Sequence, residues 1–97
     1  MTKKLFEKSY PFGFTIFKYE DDKDCTITGS LTKEYRFRDF DGNYELEEYL
    51  QKHINCDGID FDSEYSQFFA YTRTEERAMR FCKDIQAFFD NIKKLVA

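Results

Sequence analysis

The sequence predicts an α+β fold, in which a mainly antiparallel sheet of about five strands packs against two helices in the order βββαββα. Short runs of alternating residues are typical of strands, and two later segments with apolar residues every three or four positions are typical of helices. The chain has 12 Phe and 7 Tyr but no Trp, so its core must be built mainly from benzene rings. Its 97 residues suit a single domain, residues 1–97.

Three strands are predicted in the first half of the chain. Residues 12–19 alternate with apolar groups on both faces, which is typical of an inner strand. Residues 25–32 alternate between apolar positions and a threonine-rich face, which predicts a half-exposed strand. In residues 35–40, Tyr35, Phe37 and Asp39 alternate with Arg36, Arg38 and Phe40, which predicts a third strand. The three are expected to form an antiparallel meander.

A first helix is predicted after the break at residues 41–43. Asn43 is the expected N-cap, because its side chain can accept hydrogen bonds from the free amides of the first turn. The apolar stripe of this helix is spaced at i, i+3, i+4 and i+7 and consists of Leu46, Tyr49, Leu50 and His53. Residues 55–58 are expected to end it.

A second hairpin and a second helix complete the predicted order. Residues 59–62 and 67–71 read as strands joined by a turn at residues 63–66. Thr72 with Glu75 three positions later predicts a capping box, in which side chains and backbone amides bond reciprocally at a helix start. The helix that follows has a core-facing stripe of Ala78, Phe81, Cys82, Ile85, Phe88, Phe89, Ile92 and Leu95.

Cysteine usage and hydropathy favour a cytoplasmic protein. The three cysteines, Cys25, Cys56 and Cys82, are scattered singly, which favours a reducing compartment and thiols without catalytic function. Glu7 and Lys8 interrupt any signal-peptide pattern near the start. The apolar runs fall far short of the roughly 20 residues that span a bilayer, so we expect no membrane segment.

Acidic residues are concentrated in residues 39–65, which contain nine of them and a single lysine, Lys52. This segment therefore carries a net charge of −8, whereas the whole chain carries −4. Such clustering can steer a basic partner protein, and it disfavours direct nucleic-acid binding because phosphates are repelled. It can also be an ordinary solvated face. The predicted contact residues lie on the first helix and the following strand: Glu45, Glu47, Glu48, Asp60, Asp62 and Glu64.

Residues for catalysis are scarce. His53 is the sole histidine and belongs to a predicted apolar stripe, so a structural role is favoured. A calcium loop starting at Asp60 fails, since Tyr65 stands where glycine is required and Tyr71 where a bidentate glutamate is required. We expect no enzyme activity, no cofactor and no metal. A small metal-dependent hydrolase that uses Asp57, Asp60 and Asp62 is the alternative.

Two stretches, residues 41–45 and 61–71, resemble the signatures of the immunity protein 51 family of bacterial polymorphic toxin systems. The first signature is matched in part by Gly42, Asn43 and Tyr44. The second is matched in register by Phe61, Asp62, Glu64, Phe68, Ala70 and Tyr71. The chain departs from the family pattern in lacking its second glycine, in having Leu46 in place of a tryptophan, and in having Ser63 in place of a proline.

The resemblance implies a cytosolic antitoxin that binds and neutralises a cognate toxin domain, with a nuclease as the expected toxin. An acidic surface could then plug the basic, phosphate-binding cleft of the toxin. Asp62 could instead serve the fold by accepting hydrogen bonds from the turn amides of residues 63–66. An acidic adaptor or inhibitor of another host protein is a further alternative.

Overall fold

The computed structural model describes residues 2–96, and within them the strands and helices follow the predicted order βββαββα. The first three strands are β1 (Lys4–Ser9), β2 (Phe14–Tyr19) and β3 (Cys25–Gly29). A 3₁₀ turn at Lys33–Tyr35 precedes helix α1 (Gly42–His53). Strands β4 (Asp60–Phe61) and β5 (Phe68–Thr72) and helix α2 (Glu75–Val96) complete the chain. The predicted α+β class with a five-stranded antiparallel sheet is confirmed.

All neighbouring strands of the sheet are antiparallel, in the order β1-β2-β3-β5-β4. Ile16 pairs with Ile27, Ile27 with Ala70, and Ala70 with Phe61. These four residues therefore form one row across the sheet, and their side chains project to the same face. This is the face on which the core lies.

Helix α2 covers that face of the sheet with its apolar side. The buried residues on this side follow the helical spacing predicted from the sequence. They are Ala78, Phe81, Cys82, Ile85 and Phe89, and each has an exposed fraction of 0 %. Helix α1 contributes Leu46 and Leu50 to the same core cluster, and it lies beside α2, where the Tyr49 ring centroid is 6.0 Å from that of Phe88. Leu95, the predicted end of the α2 stripe, is 78 % exposed, so the stripe ends before it.

The third predicted strand, at residues 35–40, is wrong. This segment is a 3₁₀ turn followed by bends. Its aromatic side chains fill the space between the two helices: the Phe37 ring centroid lies 5.2 Å from that of Phe89, and the Phe40 centroid lies 5.4 Å from that of Tyr49. When an irregular segment has an aromatic residue at every second or third position and packs these rings against the core, its sequence resembles the alternation of a strand.

The true first strand, β1, escaped prediction because it carries almost no apolar signal. Five of its six residues are exposed, and it pairs only with β2 at the edge of the sheet. The predicted strands at residues 12–19 and 25–32 correspond to β2 and β3. The meander is therefore real, but it consists of β1, β2 and β3.

The predicted N-cap of the first helix is also wrong. Helix α1 begins at Gly42, and Asn43 lies within it. The Asn43 side-chain amide donates a 3.0 Å hydrogen bond to the Tyr65 carbonyl, which the Asn43 backbone amide also reaches at 3.0 Å. Asn43 therefore ties α1 to the turn before β5.

Thr72, the predicted cap of the second helix, belongs to β5 instead. Its hydroxyl donates a 2.8 Å hydrogen bond to the Gly58 carbonyl. The cap of α2 is Thr74, whose hydroxyl accepts a 3.1 Å hydrogen bond from the Arg77 amide. The two threonines, two positions apart, therefore have different roles: Thr72 bonds the Gly58 carbonyl, and Thr74 caps the helix. The contact between Thr72 and Gly58 is what distinguishes them.

The backbone just before β2 and the backbone at the end of β3 lie unusually close to each other. A Cβ atom on Gly13, whose φ is +116°, would lie 2.0 Å from the Ser30 carbonyl oxygen. A Cβ atom on Gly29, whose φ is +150°, would lie 2.1 Å from the Gly13 carbonyl oxygen. Neither distance is possible for a side chain, so both positions require glycine.

Candidate functional site

The nine carboxylates of residues 39–65 divide into those that hold the fold together and those without an internal partner. Asp41, Glu45 and Glu47 accept hydrogen bonds from other residues of the chain. Within residues 2–96, the remaining six carboxylates have neither a salt bridge nor a hydrogen bond: Asp39, Glu48, Asp57, Asp60, Asp62 and Glu64. These six are therefore free to pair with another molecule.

Glu45 is neutralised inside the chain. Its carboxylate forms a salt bridge with the Arg38 guanidinium and accepts a 3.2 Å hydrogen bond from the Asp41 amide. The Asp41 carboxylate in turn accepts a 2.8 Å hydrogen bond from the Tyr65 hydroxyl, and this bond raises the pKa of Tyr65 above its ordinary value. Glu45 and Asp41 thus stabilise the start of α1.

Glu47 joins α1 to the loop between β4 and β5. Its carboxylate accepts a 2.9 Å hydrogen bond from the amide of Ser63, a residue that is only 8 % exposed. The Ser63 hydroxyl accepts a 3.0 Å hydrogen bond from the Phe69 amide. The structural role considered for Asp62, holding a turn amide, therefore belongs to Glu47.

Asp60 and Asp62 project to the sheet face that the helices leave uncovered. Asp60 pairs with Tyr71, and the Asp62 amide donates a 2.9 Å hydrogen bond to the Phe69 carbonyl. Phe61, between the two acids, points the other way and lies 6.1 Å from Phe81 between ring centroids. The predicted alternation of this strand is confirmed, and it places both carboxylates beside Tyr71 and Phe69.

Glu48 lies on the other side of the molecule, on the outer surface of α1. It is four positions from Tyr44, which is 54 % exposed, so both residues share the solvent-facing side of that helix. Glu64 lies in the turn between β4 and β5. The structure therefore does not bring the six predicted contact residues together on one surface.

The uncovered sheet face carries aromatic residues that the sequence analysis did not assign to a site. They lie on β2 and β5 and are Phe17, Tyr19, Phe69 and Tyr71. All four are partly exposed, and none belongs to the core cluster or packs against it. The sequence signal for this face is the apolar character of both faces of residues 12–19, which predicts burial on both faces.

The thiols are poorly suited to nucleophilic chemistry. Burial raises the pKa of Cys82 to about 12, and it also raises the pKa values of Cys25 and Cys56. His53 stacks on Phe88 with ring centroids 5.1 Å apart, which gives it a packing role. In the part of the chain that the structure describes, no three His, Cys, Asp or Glu side chains converge to hold a metal ion.

The fold and this surface define a two-layer α+β protein with two helices on one sheet face and an aromatic, acid-flanked opposite face. Among residues 2–96, no helix combines the length and apolar character needed to cross a membrane. Comparison with protein-family models, curated proteins and solved structures finds no significant match to this chain.

Proposed function

We propose that this chain is an immunity protein, an antitoxin that binds and neutralises a cognate bacterial toxin domain in the cytoplasm without catalysis. The observation that carries the proposal is the set of six carboxylates between Asp39 and Glu64 that lack any internal partner in the described chain. The only basic residue among residues 39–65 is Lys52. The expected toxin is a nuclease.

The physical basis is electrostatic complementarity. A nuclease needs a positively charged cleft to hold phosphates, and a surface of unpaired carboxylates attracts that cleft and competes with its nucleic acid. Carboxylates already bonded within the chain, such as Glu45 and Glu47, contribute less because pairing with a partner would break those bonds. The free carboxylates therefore provide steering and specificity.

The resemblance to the immunity protein 51 family supports the partner class. Several matched positions have a role in the fold: Phe68 and Ala70 are fully buried, and the Tyr65 ring covers Gly42, whose φ is +77°. Asp62 and Tyr71 have no comparable structural role, since they face the uncovered side of the sheet. These two matched positions are therefore the ones that favour recognition of a partner.

The proposal is tested by co-expressing the chain with the toxin domain encoded in the neighbouring reading frame. We expect a stoichiometric complex and rescue of growth. Absence of both for the wild-type chain removes the immunity function, and capture of an unrelated host protein instead would favour the alternative of an acidic inhibitor.

The acidic segment is tested separately with matched charge variants. Replacing Glu48, Asp60 and Asp62 by their amides is expected to weaken the complex about 30-fold and to flatten its salt dependence. The control replaces Glu34, Glu76 and Asp84, which are exposed acids outside the segment, and changes the net charge equally. Equal weakening by both sets would show that net charge alone matters.

A further inference from the structure

We infer that the uncovered face of the sheet is the principal docking surface for the toxin domain, and that it takes an apolar ridge flanked on one side by Lys or Arg. This inference rests on the proposed function and specifies where the partner binds. It also separates the predicted contact residues, because Asp60 and Asp62 belong to this face whereas Glu48 does not.

Within residues 2–96, no second layer covers the aromatic residues of this face. The β2 and β5 residues that alternate with them, Phe14, Ile16, Phe68 and Ala70, are fully buried under the helices. Phe17, Tyr19, Phe69 and Tyr71 project the opposite way and stay partly exposed. Aromatic side chains left partly exposed together on one surface are typical of the anchor residues of protein interfaces.

The aromatic residues form the two walls of a shallow trough. Thr26 pairs with Phe17 on one side and with Tyr71 on the other, so a threonine lies between the two rings. Thr28 lies between Thr15 and Phe69 in the same way. Because neighbouring strands lie about 4.8 Å apart, the two walls are separated by about 10 Å, which accommodates a single ridge of side chains from a partner.

Most of the hydroxyl groups in and beside the floor of the trough are already bonded within the chain. The Thr28 hydroxyl donates a 2.8 Å hydrogen bond to the Phe68 carbonyl and accepts a 2.9 Å hydrogen bond from the Gln67 side-chain amide. The Ser9 and Thr15 hydroxyls are bonded to each other at 2.9 Å. Since these three hydroxyls already have partners within the chain, an apolar ridge can cover them without leaving them unsatisfied. The Thr26 hydroxyl has no hydrogen-bond partner among residues 2–96, so the ridge must offer a polar group at that point.

Charge on the two flanks of the trough selects the partner. On the β4 flank, Asp60 and Asp62 lie next to Tyr71 and Phe69, and neither carboxylate has a partner in the described part of the chain. On the β1 flank, Lys4 and Glu7 neutralise each other through a 3.1 Å salt bridge. The trough therefore has one acidic flank and one neutral flank, which fits a ridge with Lys or Arg along one side.

A second copy of the chain fits this face poorly. In a face-to-face pair, the Asp60 and Asp62 carboxylates would meet either the same carboxylates of the other copy or the β1 flank, where Lys4 is already paired with Glu7. The first arrangement is repulsive and the second gains no new ion pair. Charge complementarity thus favours a basic partner over self-association.

The test measures binding of the catalytically silenced toxin domain from the neighbouring reading frame by calorimetry. The variant combines Phe69→Thr with Tyr71→Thr, which keeps β-branched residues in the strand and leaves the core unchanged. We expect it to weaken the complex at least about 30-fold. The control, Tyr44→Ala, removes an exposed aromatic residue from the helix layer and is expected to change affinity less than about twofold.

Each outcome decides a different claim. If the Phe69→Thr/Tyr71→Thr variant forms the complex normally, the docking surface is wrong but the proposed function still stands. If Tyr44→Ala weakens the complex instead, the contact lies on the helices. If the wild-type chain forms no complex, the proposed function and this inference fall together. Sedimentation of the wild type as a dimer that the double variant dissociates would assign the face to a second copy.

Discussion

The Tyr35 hydroxyl donates a 2.8 Å hydrogen bond to the Asp90 carboxylate, and this bond anchors the irregular segment before α1 to the middle of α2. The Gln86 side-chain amide donates to both groups, at 2.8 Å to the Tyr35 oxygen and at 3.0 Å to Asp90. The Lys93 ammonium lies 4.2 Å from the centroid of the Tyr35 ring. A buried tyrosine thus holds residues 35–40, the segment predicted to be a strand, against the core.

Tyr35→Phe is expected to lower the melting temperature by roughly 5 °C, since it removes a hydrogen bond to a carboxylate. The loss depends on pH. Hydrogen bonds from Gln86 and Tyr35 hold the pKa of Asp90 below its ordinary value. The stabilisation is therefore complete above the unfolded-state pKa of about 3.9, and it disappears as the pH falls through the lower folded-state pKa.

Urea unfolding of wild type and Tyr35→Phe at pH 7 and at an acid pH that protonates Asp90 measures this dependence. The difference in unfolding free energy between the two proteins should be large at neutral pH and small in acid. A difference that is the same at both pH values would contradict the role of the Asp90 carboxylate. Tyr44→Phe, at an exposed tyrosine of α1, is the control.

Glu47→Ala and Glu48→Ala should separate the two kinds of carboxylate on α1. Glu47→Ala leaves the largely buried Ser63 amide without its partner and is expected to cost about 1 kcal/mol of unfolding free energy. Glu48→Ala removes an exposed carboxylate and is expected to change stability by less than about 0.5 kcal/mol. Equal effects in chemical denaturation would show that the Glu47 bond is unimportant.

Gly13→Ala is expected to destabilise the fold severely, by about 3 kcal/mol or more, because its Cβ would overlap the Ser30 carbonyl. Gly58→Ala is the matched control: its φ is +78°, but nothing lies within 4 Å of its Cβ position. That variant should cost only about 1 kcal/mol of backbone strain. Thermal unfolding compares the two, and similar losses would rule out the steric argument.

Thiol labelling should follow burial. With a pKa of about 12, Cys82 is almost entirely protonated at pH 8, and Cys25 is completely buried. Iodoacetamide is therefore expected to modify Cys56, the half-buried thiol, well before the other two. Mass spectrometry of the native and the urea-unfolded protein measures the order, and rapid labelling of Cys82 in the native state would contradict the packing of α2.

The sequence predicts elements well where periodicity and burial agree. Helix α2 keeps its apolar spacing because it crosses the whole core, and the β4–β5 hairpin shows the alternation of a half-exposed sheet. Strand β1 lacks that signal because an edge strand buries little. Residues 35–40 carry a false signal, since the aromatic rings that fill the gap between the helices recur after two and then three positions, which resembles strand alternation.

The candidate site is predictable only in part, for a similar reason. The acidic composition of residues 39–65 is visible in the chain itself. Which carboxylates are free depends on contacts between distant residues, such as the bond from Ser63 to Glu47 across 16 positions. The uncovered aromatic face depends on the absence of a second layer over Phe69 and Tyr71 in the described chain, and alternation in a strand carries no information about that layer.

The two edges of the sheet bear on solubility. Strand β4 is only two residues long, begins with Asp60 and is followed by Asp62, while β1 at the opposite edge carries Lys4, Glu7 and Lys8. Unpaired edge strands can recruit further strands and grow into fibrils, and short length and charge are the usual protection. We therefore expect the carboxylates of the β4 edge to hinder strand addition as well, so neutralising both should make concentrated samples prone to ordered aggregation.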